Sequence, residues 1–220
     1  MVFFQGEENR KGLAGMLPGL QKTGEPPAKS ILISAERYVA LDIETTGLDP
    51  ALEQILELAA VRVENGEITE RFSQLIRPTK PISPFITQLS GIDDRMVANA
   101  SSIEVVLPEF LAFLEDDLLL GHNTAFDLRF IRYHSMVVLK RKVCNPYTDT
   151  LRISRLLFPN LSNHKLSTLI QTFGVGDTVE HRALSDAVQT ARCYEYMKRY
   201  AEENGIVLEE TLAKKGRKRT

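Results

Sequence analysis

Apolar and polar positions along the first half of the chain follow a pattern that predicts β-strands. Three strand-like stretches, residues 38–44, 56–64 and 68–78, follow one another, and Asn65-Gly66 between the second and the third is a strong hairpin-turn signal. Two shorter runs predict further strands, one from Leu118 to Leu120 and one that ends after Tyr147. The predicted sheet therefore begins with three consecutive strands and gains two more later.

Helical periodicity fills the intervals around the later strands. Ser101-Ser102-Ile103-Glu104 is typical of a capping box and precedes an apolar helical stripe. A second stripe over 126–131 places Asp127 in a first helical turn, and Asp149 is predicted to cap a helix that runs through Leu156. Two more helices are predicted at 166–173 and 182–200. Five strands and five helices in this order predict an α/β sandwich.

Length and composition restrict the class of protein. A chain of 220 residues with 43% apolar residues can form one domain of ordinary size. Its formal net charge of −2 excludes a strongly basic surface, so any contact with nucleic acid has to be local. Two cysteines are too few for a disulfide framework, and no apolar stretch reaches the roughly 20 residues that span a bilayer. We expect a cytoplasmic protein without a membrane partner.

Composition also divides the chain. Residues 1–35 are rich in glycine and proline and lack any sustained period, which predicts a flexible leader. Residues 36–201 contain all the predicted strands and helices and form the predicted folded domain, and residues 202–220 are predicted to be a charged tail.

Two carboxylates mark the end of the first predicted strand. Asp42 and Glu44 are two positions apart, so both side chains project from the same strand face. Neighbouring like charges raise each other's pKa unless a cation neutralises them, and a hard divalent cation is the usual partner. An isolated Asp-x-Glu more often marks a solvated strand edge. Asp127 and Asp186 each lie at a predicted helix start, and their presence makes a metal site the favoured interpretation. His181 lies five positions before Asp186.

The type of donor predicts the metal and the chemistry. Four carboxylates without cysteine favour Mg²⁺ or Mn²⁺ over zinc, which prefers nitrogen or sulfur ligands. Two such ions about 3.5–4 Å apart suit in-line attack on a phosphodiester. Phosphoryl transfer is therefore the predicted reaction.

Three motifs together resemble those of the DEDDh (DnaQ-like) 3′→5′ exonucleases, which include the proofreading domains of bacterial DNA polymerase III epsilon. They are Leu41-Asp42-Ile43-Glu44-Thr45-Thr46-Gly47, His122-Asn123-x-x-Phe126-Asp127 and His181-x4-Asp186. The likeness extends from about Tyr38 to Tyr200 and includes Leu89-Ser90-Gly91-Ile92, where Ser90 stands in place of the family's threonine. It implies a ribonuclease H-like fold, with a mixed central sheet of three antiparallel strands and later parallel additions, flanked by helices.

The resemblance also implies an activity and residue roles. The activity would be removal of nucleoside 5′-monophosphates from single-stranded or frayed DNA 3′ ends, in proofreading or repair, with a DNA polymerase as a candidate partner. Asp42, Glu44, Asp127 and Asp186 would hold two ions, Mg²⁺ or Mn²⁺, and His181 would be the general base. Three substrate contacts are implied as well: the Thr45 backbone at the terminal 3′ hydroxyl, Leu48 as a wedge against the last base, and Asn123 near the penultimate nucleotide.

Two alternatives stay open at this point. A two-metal site acts on phosphate and does not itself distinguish ribose from deoxyribose, so an exoribonuclease that trims RNA ends is one alternative. The other is a nucleic-acid or polymerase-binding module with little turnover. Disrupted acids would favour the binding module, and all four acids are intact.

Overall fold

A mixed five-stranded sheet forms the centre of the fold. The computed structural model describes residues 34–176 and 182–207. In these residues the strand order is β3-β2-β1-β4-β5. Strands β1, β2 and β3 pair antiparallel, whereas β4 pairs parallel with β1 and β5 pairs parallel with β4. The strands are β1 (Arg37–Thr45), β2 (Ile55–Glu64), β3 (Glu67–Leu75), β4 (Leu119–Gly121) and β5 (Tyr147–Asp149).

Helices cover both faces of this sheet. In chain order they are α1 (Pro84–Ser90), α2 (Asp94–Val97), α3 (Ile103–Leu114), α4 (Thr124–His134), α5 (Thr150–Leu157), α6 (Leu166–Phe173) and α7 (Ala183–Glu203). A short π-helical segment, Ser135–Leu139, continues α4. Every helix among the described residues is too short or too polar to span a bilayer.

Alternation along β1 divides the core into two layers. Tyr38 and Ala40 face a cluster built from α5, α6 and α7, and the Tyr38 ring meets Tyr194 of α7 edge-on at 4.9 Å between centroids. Val39, Leu41 and Ile43 face the opposite cluster, which contains residues of α3 and α4. Strand β2 is buried from Ile55 to Val63, as expected of a strand covered on both faces. The end of β1 is thereby fixed beneath α7.

Most predicted elements are confirmed, and their bounds differ by a few residues. Asn65 and Gly66 have φ angles of 52° and 83°, the left-handed values that a tight hairpin turn requires. Asp149 caps α5, because its carboxylate accepts a hydrogen bond from the Leu151 amide at 2.9 Å. The predicted mixed sheet with later parallel strands is also confirmed.

One local prediction was wrong, and two short helices were missed. The capping box does not form at Ser101, because Ser102 is the N-cap of α3 and its side chain makes no capping hydrogen bond. Helices α1 and α2 were not predicted, since they are short and their apolar residues pack into a separate small cluster. The leader and the tail fall almost entirely outside the described residues, so the predicted domain boundaries stay a prediction.

Candidate active site

Two acidic side chains project from the carboxyl end of the central strand. Asp42 and Glu44 occupy the same face of β1 as Tyr38 and Ala40, which is the face that α7 covers. The β1 and β2 register is regular as far as Glu44, where it shifts before Thr45. Regular pairing therefore holds both carboxylates on the α7 side of the sheet, and the strand ends just beyond them.

Helix α7 brings a third carboxylate to this place. Asp186 lies in the first turn of α7, and its backbone amide donates to the Arg182 carbonyl at 3.1 Å. One carboxylate oxygen from each of Asp42, Glu44 and Asp186 lies within 4.8 Å of the other two. Residues 144 positions apart in the chain are thus neighbours, because α7 begins over the end of β1.

The fourth predicted acid, Asp127, belongs to α4. It lies in the first turn of α4, directly after β4, and its side chain is buried. The turn before it is well fixed: Asn123 has a φ of 71°, and its amide donates to Asp149 at 3.0 Å. Burial is the main cause that raises the pKa of Asp127 to about 8. Its negative charge also raises the pKa of Asp42, although Asp127 is not one of the three acids whose oxygens lie within 4.8 Å of one another.

The cluster is electrostatically strained when no cation is bound. Burial raises the pKa of Glu44 to about 8, and repulsion from Asp186, Glu57 and Asp127 adds to the effect. Burial likewise raises the pKa of Asp42, followed by repulsion from Asp127, Asp186 and Glu44. A divalent cation would reverse both effects, since it favours ionised carboxylates. The set consists of oxygen donors, so its chemistry fits a hard divalent cation held by Asp42, Glu44 and Asp186.

The predicted substrate-binding residues lie at the end of β1, in the loop that follows it and at the start of α4. Thr45 ends β1 and its hydroxyl donates to the Gly47 carbonyl at 2.7 Å. Leu48 is 77% exposed in the following loop, although it is apolar. Asn123 is exposed at the start of α4. His181 lies outside the described residues, immediately before Arg182. The roles of these four residues stay predictions.

One buried acid next to the site was missed by the sequence argument. Glu57 of β2 is 1% exposed, faces Glu44 across the β1 and β2 pair, and binds Arg182 through two hydrogen bonds of 3.1 and 2.9 Å. A signal was present, because Glu57 interrupts the apolar stretch Ile55-Leu56-Glu57-Leu58-Ala59-Ala60-Val61, where an unpaired charge would be costly.

A mixed sheet of this order, with acidic side chains gathered at the carboxyl end of its central strand, defines a ribonuclease H-like nuclease fold. The chain belongs to the RNase T family, whose model is described as "Exonuclease" and matches residues 39–194.

Among curated proteins, the chain is similar to DNA polymerase III PolC-type of Bacillus subtilis strain 168, with 37% identity over 206 residues. It is 43% identical over 169 residues to the corresponding protein of Caldanaerobacter subterraneus subsp. tengcongensis. These alignments cover 92% and 77% of this chain but only 14% and 12% of the two polymerases. The chain therefore corresponds to a small part of these relatives.

Three solved structures with a similar fold are exonucleases. Exonuclease X in complex with 5′ overhanging duplex DNA has a TM-score of 0.61 and 27% identity, over 80% of this chain and 98% of that one. The zinc-bound form of E. coli Exonuclease I with single-stranded DNA has a TM-score of 0.64 and 19% identity, over 76% and 41% of the two chains. A 3′-exonuclease that recognises the histone mRNA stem-loop has a TM-score of 0.63 and 20% identity, over 80% and 67%.

Proposed function

We propose that this chain is a metal-dependent 3′→5′ exonuclease that removes nucleoside 5′-monophosphates from DNA 3′ ends. The observation that carries the proposal is the set of three carboxylates within 4.8 Å of one another, in a chain that belongs to an exonuclease family. The PolC-type relatives are DNA polymerases, and Exonuclease X was solved with a DNA duplex, which supports DNA as the substrate.

In this proposal the residues of the site have three roles: they hold one cation, help to hold a second, and accept a proton. Asp42, Glu44 and Asp186 would hold one divalent cation, Mg²⁺ or Mn²⁺, and Asp127 would help to hold a second one. When bound, such ions stabilise charge on a phosphodiester and lower the pKa of a water molecule. His181 accepts the proton of the attacking water, because a neutral imidazole can act as a general base.

Substrate orientation falls to the loop after β1 and to the start of α4. The Thr45 backbone contacts the terminal 3′ hydroxyl, Leu48 packs against the last base, and Asn123 contacts the next nucleotide. The exposed position of Leu48 supports this assignment, because an apolar side chain that is 77% exposed is available to cover an apolar base.

Proofreading is the cellular role that we infer, with a DNA polymerase as partner. Its support is the similarity to PolC-type polymerases, of which this chain covers 14% in Bacillus subtilis. The same similarity supports a cytoplasmic location. RNA ends are the second candidate substrate, since one structural neighbour is a 3′-exonuclease that recognises a histone mRNA stem-loop.

A nuclease assay on matched oligonucleotides tests the proposal. Single-stranded DNA and RNA of one sequence, each labelled at the 5′ end, are incubated with the protein and Mg²⁺, Mn²⁺ or a chelator. We expect the labelled DNA to shorten stepwise from its 3′ end in either metal, and to stay intact with the chelator or with the Asp42→Asn variant. Faster shortening of RNA would favour the exoribonuclease. A gel shift of wild-type complexes without shortening would favour the binding module.

A further inference from the structure

The buried carboxylate of Glu57 is fully engaged with protein groups. Its Oε2 accepts from Arg182 Nε at 3.1 Å and from the Ala183 amide at 3.2 Å. Its Oε1 accepts from Arg182 Nη2 at 2.9 Å and from Ser73 Oγ at 3.4 Å. Both oxygens therefore point towards the start of α7 and the edge strand. Glu57 is also outside the set of three acids within 4.8 Å that the described residues contain.

These contacts fix the first turn of α7 to the sheet. Ala183 is the first residue of α7, and Arg182 is its N-cap. The amide of a first helical residue has no partner within its own helix, so the bond to Glu57 satisfies it. The same turn carries Asp186, whose amide donates to the Arg182 carbonyl at 3.1 Å. A shift of this turn would therefore move the Asp186 carboxylate relative to Asp42 and Glu44.

Glu57 also determines where the positive charge of Arg182 is held. That charge acts on Glu44, the register partner of Glu57 across β1 and β2. The two hydrogen bonds to Glu57 orient the guanidinium of Arg182.

We propose that Glu57 is a positioning residue for the metal site: through Arg182 and the Ala183 amide it places Asp186 against Asp42 and Glu44. The inference rests on the proposed function, because it assigns those three acids to a metal. Partners that orient metal ligands typically change metal affinity by about 10–100-fold when they are removed.

Direct metal binding tests this proposal without reference to cleavage. Wild-type protein and Glu57→Gln are titrated with Mn²⁺ by calorimetry in the absence of nucleic acid, and their melting temperatures are measured in chelator. We expect Glu57→Gln to raise the Kd for Mn²⁺ by about 10–100-fold. Excess Mn²⁺ should restore most of its cleavage rate, because a weakened site can still be filled by mass action.

Glu195→Gln is the matched control. Glu195 of α7 accepts from the Tyr38 hydroxyl at 2.7 Å, so it ties the same helix to the same sheet at the other end. We expect it to lower the melting temperature and to leave the Kd for Mn²⁺ within about two-fold of wild type, since it is distant from the three acids along α7. Equal weakening by both variants would mean that Glu57 has only a structural role, and would overturn the proposal.

A second variant covers the case in which Glu57→Gln does not fold. Arg182→Lys keeps the charge but cannot make the two-pronged bond, so we expect a smaller increase in the Kd, still above the control. An unchanged Kd in whichever variant folds overturns the inference. The same preparations separate the two proposals: wild-type protein that binds Mn²⁺ but does not shorten DNA refutes the exonuclease, while the metal titration still decides the role of Glu57. Wild-type protein that binds no Mn²⁺ overturns both.

Discussion

Replacing Asp186 with asparagine should abolish DNA cleavage and yet stabilise the metal-free protein at high pH. The two side chains have nearly the same shape, so the main change is the loss of one negative charge. An Asp186 oxygen lies within 4.8 Å of oxygens of Asp42 and Glu44. Repulsion between two full charges at that distance is about 3.5 kcal/mol at an effective dielectric constant of 20.

The change in the free energy of unfolding depends on pH because the acids that Asp186 repels gain and lose protons. The pKa of Glu44 is raised to about 8, so below that pH much of the repulsion is already relieved by protonation. Asparagine also loses the favourable interaction of an acid with the first turn of a helix, about 0.3–1 kcal/mol. We therefore expect the free energy of unfolding to change by less than about 1 kcal/mol at pH 6 and to rise by about 1–3 kcal/mol at pH 9.

Thermal unfolding in chelator at pH 6, 7.5 and 9 measures this difference. For a domain of this size the gain at pH 9 corresponds to a melting temperature about 2–12 °C higher. Asp116→Asn is the control, since Asp116 is an exposed acid after α3 and its replacement should have little effect at any pH. Mn²⁺ should raise the melting temperature of the wild-type protein much more than that of Asp186→Asn. A lower melting temperature for Asp186→Asn at pH 9 in chelator, or an equal response to Mn²⁺, would refute the reasoning.

Three further predictions concern the same site. The pKa values of Glu44 and Asp127 are raised to about 8 from 4.5 and 3.8. The stabilisation from these two protonated groups is therefore complete below about pH 4 and is lost as the pH rises through 8. Melting temperatures in chelator should fall over this range, and Glu44→Gln should flatten the slope; an unchanged slope would exclude Glu44 as a source. His181→Ala should bind Mn²⁺ and DNA normally but cleave roughly 10²–10⁴-fold more slowly, and undiminished single-turnover rates would exclude a general base. Leu48→Ala should keep its melting temperature, because the side chain is 77% exposed. Its kcat/KM on single-stranded DNA should fall roughly five-fold, which corresponds to about 1 kcal/mol of apolar contact, and an unchanged value would remove Leu48 from the substrate site.

Local signals in the sequence were sufficient for most strands and helices. The Asn65-Gly66 turn could be predicted because few residue pairs adopt two left-handed conformations in succession, and both φ angles are positive. The Asp149 cap could be predicted because a short carboxylate before a helix finds an adjacent amide. The short helices α1 and α2 could not, since seven and four residues contain too few turns for a period to stand out.

The geometry of the candidate site could likewise be predicted only in part from the sequence. Spacing two residues apart predicts that Asp42 and Glu44 share a strand face, because side-chain alternation is a property of the extended backbone. The distance from their oxygens to that of Asp186 could not be predicted from neighbouring residues, because it depends on where α7 starts above β1. Glu57 illustrates the limit: its charge is visible in the sequence, but its partner Arg182 is 125 positions away.

The sequence by itself determined the types of elements, the acidic donor set and the family resemblance, because these depend on residue identity and near-neighbour geometry. Only the tertiary structure decided that three of the acids meet within 4.8 Å, that Asp127 is buried, and that Glu57 holds the start of α7. The physical reason is that helix packing on the sheet sets distances between remote residues, and burial at that contact raises the pKa values of the acids.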